Sequence, residues 1–176
     1  MQLPIFTVDP YLNALQSPDA WVKKLSIEAA QLLATAYDNL THAPLTATGK
    51  VRSIKSHLHH PITKWVNTSI ANWHFTWDYG YGCILEAFER QLVKSAHHLT
   101  FYEWCLDNPP PLPNCGLTEF VKPIGYDALP VCGAYQQYFC DNKRHIAVWR
   151  NRDTPSWYLS HVVQVPNCGK IYHITN

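Results

Sequence analysis

The chain has 176 residues, enough for one domain that buries about 70% of the surface its unfolded form exposes. Apolar residues make up 47% of it and charged residues only 15%, and 14 Lys and Arg against 13 Asp and Glu leave a formal net charge of +1. That balance argues against the strong basic field of a tight duplex-DNA binder, and no apolar run approaches the ~18 residues of a membrane span.

Residues 3–8 read as a short extended piece bounded by Pro4 and Pro10. Asp9-Pro10 pairs a capping acid with a proline at the first helical position, where its missing N–H costs nothing, and predicts a short helix through Gln16. Ser17-Pro18 repeats the signature and opens the clearest helix, expected to run to about Leu40. Along it Trp21, Val22, Leu25, Ala29, Leu32, Leu33 and Ala36 recur at three- and four-residue steps and define a buried stripe. Residues 41–60, with Pro44, Gly49 and several Thr and Ser, predict a long polar loop, a length usually tied to mobility or function.

His60-Pro61 starts the second main helix, with Ile62, Trp65, Val66, Ile70, Trp73 and Trp77 on one side. Leu85, Phe88 and Leu92 extend the pattern to about residue 95, so Gly80 and Gly82 are expected to kink this helix without ending it. A short helix covers roughly 97–106, and the PPPLP run at 109–113 stops it. Pro130 predicts a helix through Cys140, and residues 145–152 another short one carrying Trp149 and Arg152. At the end, HVVQV, PNCG and KIYHI read as a β-hairpin around a Pro-Asn-Cys-Gly turn. The expected fold class is mainly α: a compact single-domain helical bundle over residues 1–176, with a short N-terminal extended segment and a C-terminal β-hairpin.

The six cysteines are widely spaced without a C-x-x-C pair, and MQLPIFTVDP lacks the charged start and long apolar run of a secretory leader. Free thiols in a reducing, cytoplasmic setting are the expectation. His57, His59 and His60 lack metal-ligand spacing and a nearby Cys or carboxylate, so they point to capping or hydrogen bonding, with no metal expected. No Gly-rich phosphate loop and no nucleophilic triad stands out, and no catalytic residue or cofactor is assigned.

Two helix faces do carry polar groups beside rings. Lys24, Glu28 and Gln31 share a face at i, i+4 and i+7, a pattern that also suits a solvated ion pair. Glu86 and Arg90 repeat the i, i+4 pairing, and Ser69 and Asn72 lie near Trp65. With seven Trp, ten Tyr and six Phe in the chain, these groups suit an aromatic-walled site between helices; rings that only fill the core are the plainer alternative.

The segments VKKLSIEAAQLL (22–33), HPITKWVNTSIANW (60–73) and EAFER (86–90) resemble a family of small phage-encoded helical proteins of unsettled function. In that family a K-x-x-x-E-x-A-Q-L-L helix precedes an H-P-x-x-K-W-x-x-x-S-x-x-N motif. GLTEF (116–120), AYQQYF (134–139) and AVWRNRDTPSWY (147–158) are similar to its later blocks, so the likeness is collinear over about residues 5–158 and leaves 159–176 as an extension. More distantly, the first two helices are similar to proteins grouped with the pyrimidine-dimer DNA glycosylases of the endonuclease V type. That resemblance implies an all-helical fold and a pocket for an extruded base. It does not imply the activity: Gln2 follows Met1 where the glycosylase exposes an amine on a small residue. Asp19, Ala20 and Trp21 stand where the phage family reads D-K-H, which exchanges proton-transfer groups for a ring that can stack.

Taken together, the resemblance and the residues point to a protein that binds a nucleotide-like small molecule without turning it over. The purpose the phage likeness implies is sequestration of a nucleotide signal of bacterial immunity. Trp21, Trp65, Trp73 and Trp149 are the expected ring residues, and Trp21, Trp65 or Trp73 would stack the base. Lys24, Arg90 and Arg152 would meet phosphate, and Gln31, Ser69 and Asn72 would bond sugar or base edges. Glu28 would take a ribose hydroxyl or an exocyclic amine, and Glu86 and His60 complete the expected set. A homo-oligomer is expected to complete the pocket. The alternatives are a DNA base-excision or base-modifying enzyme using Glu28 or Glu86 as general acid/base, and a host-protein-binding module anchored by aromatics.

Overall fold

In a computed structural model, the structure describes residues 2–95 and 98–164. Before the first helix, the chain from Leu3 to Phe6 is buried. Two side chains hold it: Asn13 Nδ2 donates to Pro4 O (2.7 Å) while its Oδ1 accepts from the backbone N–H of Phe6 (2.7 Å) and Thr7 (3.3 Å), and Gln136 Nε2 donates to Phe6 O (3.1 Å). Helix α1 (Pro10–Gln16) starts as its sequence dictates, with Pro10 in the first turn and Asp9 Oδ1 accepting from Leu12 N at 2.9 Å.

Ser17-Pro18 does open α2 (Asp19–Ala34), but Pro18 occupies the cap position and makes no side-chain bond there. Ser17 Oγ is drawn elsewhere: it donates to Asn13 O and pairs with the buried hydroxyl of Tyr79, each at 2.9 Å. The stripe from Trp21 to Leu33 is buried as the spacing requires. The helix stops before the expected Leu40, because Thr35 folds its hydroxyl back onto Leu32 O at 2.6 Å and engages Asn67 across the bundle.

The helix expected from residue 61 to about 95 is two. Helix α3 (Pro61–Val66) is capped by His60 Nδ1, which accepts from Ile62 N at 3.2 Å. After Asn67 and Thr68 the chain restarts as α4 (Ile70–Glu89), with Ser69 Oγ accepting from Asn72 N at 3.1 Å. The interruption therefore lies at 67–69, and α4 runs unbroken through Gly80 and Gly82. Gly80 serves close approach instead. A Cβ there would stand 2.6 Å from Ala29 Cβ and 2.2 Å from Tyr102 Oη, so the missing side chain lets α2, α4 and α5 (Leu99–Asp107) meet.

Helix α4 is the central element, packed along α2 and α1. Its Trp73, Tyr79 and Cys83 are fully buried, and large side chains of that kind each contribute roughly 1.5–3 kcal/mol. Residues 109–130 form a strap without helix or strand. Ile70 N donates to Pro113 O (2.9 Å), Ser69 Oγ to Gly116 O (2.7 Å), and Asn72 exchanges two bonds with Thr118 (2.7 and 2.9 Å), pinning the strap to the start of α4.

Helix α6 (Val131–Asn142) follows Pro130 as expected. The helix expected at 145–152 is reduced to a single 3-10 turn, Arg144–Ile146. Beyond it the backbone is spent on α2: Val148 O accepts from Asp19 N (2.8 Å), Arg150 N donates to Asp19 Oδ1 (3.1 Å), and Asn151 takes a positive φ of 54°. Helix α7 (Ser156–Gln164) takes residues 161–164 into a helix where the sequence suggested the first hairpin strand; the rest of the expected hairpin lies outside the described residues. The molecule is mainly α, and no strand occurs among the described residues. Cys83, Cys105, Cys115, Cys132 and Cys140 are free thiols. No helix among the described residues is long and apolar enough to cross a membrane.

Candidate functional site

The four tryptophans expected to wall one pocket fall into three ring clusters. Trp21 stacks on Phe6 (centroids 5.7 Å) and meets Phe139 edge-on (5.2 Å), and Trp149 reaches the same cluster through Phe139 and Tyr158. Trp65 packs on Phe120 and Phe75. Trp73, fully buried, lies beside Tyr37 and His74 and donates from Nε1 to Leu33 O at 3.3 Å. These rings are core, and no ring contact among the described residues joins the three clusters.

Arg90, Glu86 and Arg152 do converge, in a clasp with Asp19. Arg90 is 0% exposed. Its Nε donates to Glu86 Oε2 (2.9 Å), Nη1 to Ser17 O (2.8 Å) and Asp19 Oδ1 (3.2 Å), and Nη2 to Leu15 O (2.7 Å) and Ala14 O (3.4 Å). The guanidinium thus satisfies the carbonyls that end α1 and leaves no donor for a phosphate. Arg152 forks onto Glu86 with Nε and Nη2 at 3.0 and 3.1 Å. Burial pushes Glu86 up, but the bonds from Arg152 and Arg90 outweigh it and hold the carboxyl below its ordinary value. It is therefore an anion at neutral pH, which removes it as a general acid. Ser69 and Asn72 are likewise occupied by the strap: both Asn72 side-chain ends are bonded, with Nδ2 also donating to Trp65 O at 2.7 Å.

What keeps unspent capacity is the seam between α2 and α3. The seam is closed at one end by the helix caps, where Asn67 Nδ2 donates to Thr35 O (3.3 Å) and Thr35 Oγ1 (3.1 Å). Counting back two helical turns from that clamp, about 10 Å, leads to Glu28 on α2 and to His60 at the head of α3. His60, Thr63 and Asn67 lie at i, i+3 and i+7, so the face of α3 that meets α2 carries all three. Glu28 Oε1 pairs with Lys24 Nζ at 3.4 Å, while Glu28 Oε2 is buried with no partner, and so is Thr63 Oγ1. Gln31, also on this side of α2, is exposed at the rim.

His60 is set up as a donor. Burial lowers its pKa, His57 adds to the effect, and the negative charge of Glu28 pulls the other way without cancelling it. The ring is neutral at pH 7, and because Nδ1 accepts from Ile62 N the proton sits on Nε2. The seam thus presents a carboxylate acceptor, a hydroxyl, an imidazole donor and a rim ammonium. Trp65 Nε1 is a third buried atom without a partner, but it belongs to the other side of α3, among Phe75 and Phe120.

Of the expected residues, the structure brings together Lys24, Glu28 and His60 in the seam, and Glu86, Arg90 and Arg152 in the clasp. Sequence reasoning missed Thr63, Asn67 and Thr35; the His60–Thr63–Asn67 spacing is the signal that could have found two of them. Among the described residues no group of three or more His, Cys, Asp and Glu is placed to hold a metal ion. No protein-family model, no curated protein and no solved structure matches the chain.

Proposed function

We propose that this chain binds a nucleotide-like small molecule in the α2–α3 seam and holds it without turning it over. The observation that supports this reading is Glu28 Oε2, a buried carboxylate oxygen with no partner, facing a helix that offers an equally unpaired Thr63 hydroxyl. An unpaired buried acceptor of this kind costs about 1–3 kcal/mol, and a ligand donor repays it. A ribose hydroxyl or an exocyclic amine is the complementary group for Glu28. His60 Nε2–H and Thr63 Oγ1 then meet acceptors on the sugar or base edge, and Lys24 at the rim meets phosphate. Sequestration of a signalling nucleotide inside a bacterial cell is the purpose we attach to this site.

The test is thermal shift of the purified protein against nucleotides and cyclic or ADP-ribose-type signals, followed by chromatography of small molecules released by heat. A nanomolar ligand in micromolar excess raises stability by several kcal/mol. Glu28→Gln is expected to weaken binding about 10- to 100-fold, since a charged hydrogen bond is worth roughly 1.5–3 kcal/mol. Absence of any shift across the panel, or equal binding by Glu28→Gln, would overturn the reading. A carboxylate close enough to a neutral imidazole to act on its charge is what one alternative, acid/base catalysis at the same seam, would use, and recovery of a converted product in place of intact ligand would establish it.

A further inference from the structure

The Glu28 carboxylate keeps two acceptor positions side by side. Oε2 is buried with no partner, and Oε1 carries only the 3.4 Å ion pair to Lys24 Nζ, which leaves a lone pair of that oxygen free. The two oxygens face different surroundings. Oε2 is enclosed, whereas Oε1 lies on the side of Lys24, whose side chain is 51% exposed. Across the seam, the unpaired Thr63 hydroxyl and the Nε2–H of His60 are available as donors. Ile27 supplies apolar surface next to them. It comes three residues after Lys24 and four before Gln31, so it shares the face of α2 that carries Glu28, and it is 42% exposed.

Two adjacent acceptors call for two adjacent donors. Among the common nucleobases guanine alone has them on one edge, the ring N1–H and the exocyclic N2–H. Adenine and cytosine set a ring acceptor beside their amine, and uracil flanks its N–H with carbonyls. Each of these would press an acceptor against a carboxylate oxygen, and a polar site built for one pattern rejects the other strongly. A guanidinium compound also offers paired donors, but its positive charge would lie against the Lys24 ammonium. Guanine is neutral, and next to N1 it carries a carbonyl oxygen, O6, that a hydroxyl or imidazole N–H can meet.

We infer that the seam selects guanine nucleotides, an inference that rests on the reading of the seam as a nucleotide site. N1–H donates to Oε2 and N2–H to Oε1, a bidentate pair on the carboxylate. O6, on the inner side, accepts from the Thr63 hydroxyl or from His60 Nε2–H. The sugar is attached on the side of the base next to N2, so this orientation turns it to the rim and brings its phosphate toward Lys24. The face of the ring then lies against Ile27.

Calorimetric titration of the purified protein with GMP, IMP, AMP and agmatine tests it, since IMP differs from GMP only by lacking the N2 amine. GMP is expected to bind about 10- to 100-fold more tightly than IMP or AMP, the worth of one charge-assisted hydrogen bond. Glu28→Gln puts an NH2 group in place of one acceptor and is expected to erase the difference between GMP and IMP. If AMP or IMP binds as tightly as GMP and Glu28→Gln abolishes that binding, guanine selection is overturned and the seam remains a nucleotide site. Preference for agmatine over GMP overturns it as well. If no nucleotide binds, or Glu28→Gln binds all of them like wild type, the seam reading falls and this inference falls with it. The ranking of GMP, IMP and AMP in the wild-type protein decides the matter even if Glu28→Gln fails to fold.

Discussion

Two assemblies of acidic and basic side chains sit along α2, and they end in opposite states. At the start of the helix Asp19 joins Glu86, Arg90 and Arg152, where two carboxylates face two guanidinium groups and every buried polar atom has a partner. Further along, Lys24 and Glu28 form one ion pair, and the second carboxylate oxygen is buried with nothing to accept from. Burial demands satisfaction equally in both places. A fold that meets the demand fully at one end of a helix and leaves it open at the other separates a structural clasp from a receptive surface.

The sharpest way to break that contrast is at the clasp. Arg90→Met would take one donor each from Glu86 and Asp19, which keep only Arg152 and the Arg150 N–H, and would remove the guanidinium from the α1-ending carbonyls of Leu15 and Ser17. Removing one partner of a buried, hydrogen-bonded charge cluster costs about 3–5 kcal/mol, and the loss is expected in urea unfolding midpoints. Arg90→Lys should recover little, because a point charge on a flexible stem cannot span five acceptors. A loss below about 1 kcal/mol would mean the clasp is not structural, and the comparison would fall with it.

The clasp also shows how far the sequence could be read. The i, i+4 spacing of Glu86 and Arg90 was legible, and so was the periodicity that buries Trp21, Leu25, Leu32 and Trp73. Their role was not, because Arg90 takes its meaning from carbonyls of α1 more than seventy residues away. The same limit explains the misplaced helix break. Gly80 signals flexibility in one dimension, but its use is a contact with Ala29 and Tyr102, and the true interruption comes from Ser69 capping a new helix while the strap binds it. In the seam, Lys24 and Glu28 were nameable from spacing and His60 as the residue that starts a helix, whereas Thr63 needed the α2–α3 pairing to become visible.

A smaller effect sharpens the clasp by pH. The folded-state carboxyl of Glu86 is held below its ordinary value of 4.5, so its contribution is fully present above that pH and is lost as the pH falls through the depressed value. Glu86→Gln is expected to cost roughly 1.5–3 kcal/mol at neutral pH. The gap between wild type and variant should then close on acidification below 4.5. Unfolding midpoints measured down that range check it; a gap independent of pH would show that Glu86 acts through packing and not through charge.

The smallest effect is expected in the seam, and its sign is the opposite of the clasp's. Thr63 Oγ1 is buried without a partner, so Thr63→Val removes a desolvated hydroxyl while nearly keeping the side chain's shape. Leaving such a group unpaired costs about 1–3 kcal/mol, and its removal should raise stability by about 1 kcal/mol, or roughly 2–4 °C in Tm. The same variant should bind the seam's ligand more weakly, because the hydroxyl that burdens the free protein is the one a ligand would use. Gain of stability with loss of binding is the trade expected where a fold keeps polar capacity in reserve for a partner. A destabilised variant would show that the hydroxyl has a partner in the free protein. A stabilised variant with unchanged binding would reduce Thr63 to a packing imperfection and leave Glu28 and His60 as the groups that receive the ligand.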